Sequence, residues 1–173
     1  VSAGNTGALL TSSLFLIGKI PGIRRPAFAP FIPTNNGPPI LCTGRANADN
    51  KPQHLVQFAL MASAYIEHLE NRPDPKVALL NIGREENKGN ELTTNAYPML
   101  KKHVRNFIGN IESRYILDGE ADVIICDGFT GNIVLKLTEG IISHLMDWIH
   151  ERIKPHATDK ELASILNTVF NDI

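Results

Sequence analysis

The chain has 173 residues, a formal net charge of -1, 43% hydrophobic residues and 20% charged ones. These values suit one soluble domain, or most of one, and neither the charge nor the few aromatics suits a nucleic-acid binder. No apolar run reaches the ~18–20 residues that a membrane span needs.

The chain opens on Ser2-Ala-Gly4-Asn5-Thr6-Gly7, a Gly-x-Thr-Gly turn that leads straight into apolar residues. Thr6 to about Ile17 is small or apolar and lacks Pro, which predicts a buried helix stopped by Pro21-Gly22. The prolines at 26, 30 and 33 then allow only an edge strand or an extended segment. Asn35 to Pro39 reads as a turn, Ile40–Cys42 as a short strand and Gly44–Asn50 as a polar loop. Pro52 suits a first helical position, and apolar residues from Leu55 to Ile66 keep helical spacing to about Leu69. Val77–Ile82 is a strand, followed by a polar loop from Gly83 to Asn90. A helix is predicted over about Asn95–Val104, starting late or bent because of Pro98.

Phe107–Glu112 reads as a strand running into a loop. Asp122-Val-Ile-Ile-Cys126 is another, ending in Asp127 and a second Gly-x-Thr-Gly, Gly128 to Gly131. A helix is predicted from Gly131 to about Ile153, and the capping-box form Thr158-x-x-Glu161 predicts a last one. Strands alternating with helices call for an α/β fold with a mostly parallel sheet covered on both faces. The polar loops then gather at the sheet's carboxyl end, where such folds bind ligands.

Those loops hold Asn5, Thr6, Arg25, Asn47, Lys88, Asn90, Asn110, Thr130 and Asn132. These are hydrogen-bond donors, which hold anions or stabilise oxyanions. Gly7, Gly128 and Gly131 would let backbone N–H groups approach an anion at two helix starts. Each reading has a plainer rival. The asparagines are common turn residues, Lys88 and Arg25 could be solvated charges, and Asp127 is either a base or turn chemistry. Cys126 reads as a buried thiol rather than a nucleophile, and His54 as structural. Cys42 and Cys126 are far apart and lack metal-ligand spacing, so no metal is expected and the thiols read as reduced, in a cytoplasmic protein. The helix after Gly131 carries apolar residues over a wide arc, which is either two core contacts or a dimer or membrane contact near Trp148.

Several stretches together resemble the bacterial phosphate acyltransferases of phospholipid synthesis. They are Ser2 to Leu9, Gly22 to Ala27, Lys51 to Phe58, Leu79 to Gly83, Lys88 to Leu92, Phe107 to Glu112 and Asp127 to Asn132. The resemblance runs in order from Val1 to about Gly140 and implies an internal fragment. Thr43, Arg45 and Arg84 depart from the family pattern. The resemblance implies a three-layer Rossmann-like fold similar to phosphotransacetylase, with a core over 1–133 and a helical extension over 134–173. It further implies a homodimer, peripheral membrane association, and no cofactor. Its partners would be inorganic phosphate and an acyl carrier protein bearing a fatty acyl chain. Lys88 and Asn132 would serve the oxyanion and phosphate. Asn5, Thr6 and Thr130 would cradle phosphate.

Overall fold

The computed structural model describes residues 6–32, 34, 39–44, 50–153, 160–161 and 164. The chain divides into two compact units, Val1–Asn132 and Ile133–Ile173. The first is built on four strands: β1 (Ile40–Thr43), β2 (Val77–Asn81), β3 (Phe107–Glu112) and β4 (Val123–Cys126). All pairings are parallel, and the order across the sheet is β1-β4-β2-β3. This is the parallel α/β architecture that the alternation of strands and helices predicts, and it is Rossmann-like, as the resemblance implies.

The strands are short and rich in β-branched residues, and every residue of β1 and β4 is buried. Continuous apolar runs of this kind belong to parallel strands covered on both faces. Two helices, α2 (Pro52–Leu69) and α3 (Glu91–His103), pack side by side over one face. Ile40, Cys42, Val77, Leu79, Val123 and Ile125 meet Leu55, Phe58, Ile66 and Leu100 in one core. Each such side chain contributes about 1.5–3 kcal/mol on burial. The alternate residues Leu41, Ala78, Leu80 and Ile124 are also buried, so the second face is covered as well.

The proline-rich segment takes the edge. Phe28 and Thr43 exchange backbone hydrogen bonds of 2.8 Å, antiparallel, and Leu41 N–H donates to the Pro30 carbonyl at 3.0 Å. Its prolines limit this pairing to isolated bridges along the outer side of β1. In β3 the register against β2 shifts, with Ala78 opposite Gly109, and Gly109 takes φ +101°. Glycine suits that bulged position.

Three expectations about helices are corrected. The helix α1 (Thr6–Leu16) forms, but Phe15 and Leu16 are about 85% exposed rather than buried. A helix apolar on every side needs cover on every side, and the described residues leave it largely bare. The helix containing Pro98 starts at Glu91, four residues earlier than expected. Asn90 is its N-cap: the side chain accepts from Thr93 N–H at 3.0 Å, which sets the start ahead of the interior proline.

The 3₁₀ turn Ser113–Asp118 follows β3. The helix α4 (Gly128–Ile153) starts three residues before the expected Gly131, immediately after β4. Its stretch beyond Asn132 belongs to the second unit. The capping box predicted at Thr158 lies outside the described residues.

Candidate functional site

Because the strands are parallel, Thr43, Asn81, Glu112 and Cys126 end at one edge of the sheet, and the segments after them share it. The central strands β4 and β2 are neighbours. The start of α4 and the loop over 82–90 therefore leave the sheet side by side.

The start of α4 is organised by Asp127, which is buried. Its Oδ1 accepts from Phe129 N–H at 2.8 Å and from Thr130 N–H at 2.9 Å. Its Oδ2 accepts from Thr130 Oγ1 at 2.6 Å. The side chain is thus an N-cap whose negative charge sits at the positive end of α4. Two of the amides expected to face an anion are already engaged by this carboxylate. Thr43 completes the arrangement by donating from Oγ1 to the Asp127 carbonyl at 2.9 Å. It also presses on Gly131: a Cβ there would lie 2.6 Å from Thr43 Oγ1. Glycine at 131 is therefore needed for helix-to-strand approach. Gly128 and Gly131 are buried, Thr130 is half-buried and Asn132 is exposed in the first turns of α4.

The loop over 82–90 is fastened along its length. Asn81 Nδ2 donates to the Lys88 carbonyl at 2.9 Å, and Asn81 Oδ1 accepts from Ile82 N–H at 2.8 Å. Asn110 is buried on β3 and donates from Nδ2 to the Glu85 carbonyl at 2.7 Å. Its Oδ1 is buried with no hydrogen-bond partner among the described residues. Glu86 accepts from Lys101 Nζ at 2.8 Å and from Tyr97 Oη at 3.3 Å. That bond to Lys101 holds the Glu86 carboxyl below its usual range and raises Lys101. Gly89 turns the chain with φ +100° into the Asn90 cap of α3. Lys88 emerges half-exposed, its ammonium 3.8 Å from Glu85 Oε1. The loop is held at its backbone by Asn81 and Asn110, and the lysine head is presented to solvent.

Beyond β1, the first turn of α2 collects basic groups. His54 is buried and its Nδ1 accepts from Lys51 N–H at 3.1 Å, so Nε2 carries the ring proton. Burial lowers its pKa first, and the charges of Arg25, Arg24 and Lys51 lower it further. It caps α2 as a neutral ring, the structural role expected for it. Gln57 fixes the preceding segment: it accepts from Arg24 N–H at 3.0 Å and donates to the Gly22 carbonyl at 2.9 Å. Arg25 is half-buried within this group.

Cys42 and Cys126 are buried free thiols. Burial pushes Cys42 up to about 12. It raises Cys126 too, helped by the neighbouring Asp127 charge. Neither thiol is accessible or ionised near neutrality, as a nucleophile must be.

The structure therefore brings Lys88, Asn90, Asp127, Gly128, Thr130, Gly131 and Asn132 to one edge, with Asn110 on the strand beneath the lysine loop. Asn90 and Asp127 serve there as helix caps. Asn5, Asn47 and the side chain of Thr6 lie outside the described residues; Gly7 is exposed in α1, and its carbonyl accepts from Thr11 Oγ1 at 2.8 Å. Sequence reasoning marked Thr43 only as a departure from the family pattern, took Glu85-Glu86 for a solvated pair, and passed over Asn81, Tyr97 and Lys101; these residues position the loops, with Glu86 bonded to Lys101 and Tyr97. Asn81 and Thr43 are polar residues ending apolar strands, a signal that could have marked them. Among the described residues no cluster of His, Cys, Asp or Glu could hold a metal ion. No described helix is long and apolar enough to cross a membrane.

A parallel α/β sheet with a capped helix start beside a braced lysine loop defines a protein whose candidate site offers donors rather than a nucleophile. The chain belongs to the family described as fatty acid synthesis protein, whose model matches residues 1–173. It is 47% identical over 96% of its length to a phosphate acyltransferase of Bacillus pumilus (strain SAFR-032), covering 50% of that protein. It is 53% identical over 88% of its length to a phosphate acyltransferase of Desulfitobacterium hafniense (strain Y51), covering 46%. Against the phosphate acyltransferase of Clostridium tetani (strain Massachusetts / E88) the identity is 44% over the whole chain, 52% of that protein. The chain spans about half the length of these curated relatives.

Proposed function

We propose that this chain is the catalytic part of an acyltransferase that moves a fatty acyl group from an acyl carrier protein to inorganic phosphate. The supporting observation is the braced lysine loop beside the start of α4. Its backbone is held by Asn81 and Asn110, yet among the described residues the Lys88 ammonium has only a long contact with an exposed Glu85. Phosphate is itself a nucleophile, so a donor-lined site without a reactive thiol suits it. A phosphate oxygen bonds to the thioester carbon and the carbonyl oxygen takes up negative charge; the carbonyl then re-forms as the C–S bond breaks, and the proton of the hydrogen phosphate passes to the departing sulfur, which leaves as the thiol. Lys88 and Asn132 would stabilise that oxyanion and orient phosphate. Thr130, Asn5, Thr6 and Gly7 would line the phosphate, with Arg25, Asn47, Asn90 and Asn110 around the substrate.

The test is acyl phosphate formation by the full-length protein. Lys88→Ala and Asn132→Ala should each lower kcat about 10²–10³-fold, the usual cost of one lost oxyanion donor, with folding retained. Wild-type turnover in both variants would sink the assignment. Offering acyl-coenzyme A beside the acyl carrier protein separates this reaction from a coenzyme A-dependent one of the same type.

A second role rests on α4 beyond Asn132. Leu137, Ile141, Leu145 and Trp148 are all about half exposed or more. Such a face suits a homodimer contact or peripheral membrane association. A blue shift of Trp148 emission on adding anionic vesicles to the protein supports the membrane reading; a concentration-dependent mass change without it supports the dimer.

A further inference from the structure

Arg84 lies in the lysine loop, two residues beyond Ile82 and four before Lys88. Its Nη2 donates to both carboxylate oxygens of Glu120, at 2.9 Å each. Its guanidinium carbon lies 4.5 Å from the centre of the Tyr115 ring. Arg114 approaches the same ring at 4.9 Å and is itself held by Glu112 at 2.9 Å. Tyr115 and Glu120 belong to the connection between β3 and β4. Arg84 thus ties the loop after β2 to the segment that leads into β4 and Asp127.

On the other side the loop is held to α3 by Glu86, through Lys101 and Tyr97. Lys88 follows directly after these two fastenings. The Lys88 stem runs against Gly83, where a Cβ would lie 3.2 Å from Lys88 Cγ. A shift at residue 84 therefore moves the neighbour that the lysine stem lies on.

From this geometry we infer that Arg84 is a positioning residue that sets Lys88 for the reaction, its partners being Glu120 and Tyr115. The inference rests on the acyltransferase reading for its activity arm alone. The pair is exposed, with 51% and 38% of its side chains accessible. Exposed ion pairs contribute little to global stability. The consequence of breaking it is therefore local. A planar guanidinium can lie over the Tyr115 ring while one of its nitrogens donates to Glu120, whereas a compact, strongly hydrated ammonium lacks the plane that stacks.

The experiment compares Arg84→Ala, Glu120→Ala and the double variant of the full-length protein. Amide hydrogen exchange is followed over 83–89, with the α2 core as the folding control. Exchange in the loop should speed up in all three variants while α2 stays protected. Turnover should fall about tenfold in kcat rather than through KM, because misplacing a catalytic group costs the transition state. The double variant should be no worse than either single one, and Arg84→Lys should recover only part of the loss. Unchanged loop exchange, or losses that multiply in the double variant, would overturn the inference. Faster loop exchange in a protein whose wild type forms no acyl phosphate would keep the clamp and refute the acyltransferase reading instead.

Discussion

Replacing Asp127 separates a capping carboxylate from a catalytic one. In Asp127→Ala, Phe129 N–H, Thr130 N–H and Thr130 Oγ1 all lose their acceptor. Loss of an N-cap alone costs about 1 kcal/mol, up to about 2. Hydrogen bonds to a charged group contribute about 1.5–3 kcal/mol each, and these groups are only partly wet, so water restores some of that. A total of about 3–4 kcal/mol follows. Asp127→Asn keeps the shape, its Oδ1 still accepts both amides, and its Nδ2 can donate to Thr130 Oγ1. What it loses is mainly attraction to the helix end, about 0.3–1 kcal/mol. Urea unfolding of the three proteins measures both values, with the m-value checking that the unfolding transition is comparable. Destabilisation of the alanine variant by less than about 1 kcal/mol, or an asparagine variant as damaged as alanine, would refute the capping argument. Turnover supplies the other half. A cap predicts near-wild-type kcat in Asp127→Asn. A loss beyond about 100-fold at unchanged stability would mark a base instead, within the range of general-base contributions.

Gly89→Ala should destabilise by about 2–3 kcal/mol, because φ +100° strains any side chain. Its Cβ would also meet Thr93 Oγ1 and the Asn81 side chain. Thermal unfolding measures this, and a smaller penalty in a Thr93→Ala background would trace the steric part to the α3 cap. For the cysteines, protonation is the favoured form because burial raises both thiols. With Cys42 at about 12, only about one thiol in 10⁴ is ionised at pH 8. A disulfide reagent should therefore leave the native protein untouched at pH 8 and titrate both cysteines after denaturation. Cys126→Ser should keep its turnover.

The strands, the parallel alternation and the location of the candidate site were legible in the chain. Short, mostly apolar runs of four to six residues, each set off by polar or turn-forming residues, have few alternatives to buried strands. Two parallel neighbours such as β4 and β2 must then leave the sheet at the same edge, which is why Lys88 and Asn132 could be placed at one end without coordinates. The structural role of His54 and the inertness of Cys126 were legible too, since both follow from apolar neighbours.

Tertiary structure decided what each polar residue does there. Asp-Gly-x-Thr-Gly reads equally as an anion nest or a self-capped helix start. Only the positions of the Asp127 oxygens, 2.6–2.9 Å from their three donors, show the capping. Gly131 looked like freedom for an anion to approach and proved to be room for Thr43, a residue 88 positions away whose nearness depends on β1 pairing with β4. Arg84 and Glu120 likewise meet across 36 residues. Local pattern sets which segments become strands and helices, because it acts through neighbours along the chain. The partner of a polar side chain is set by packing between distant segments, so it is fixed only when the sheet has brought their ends together.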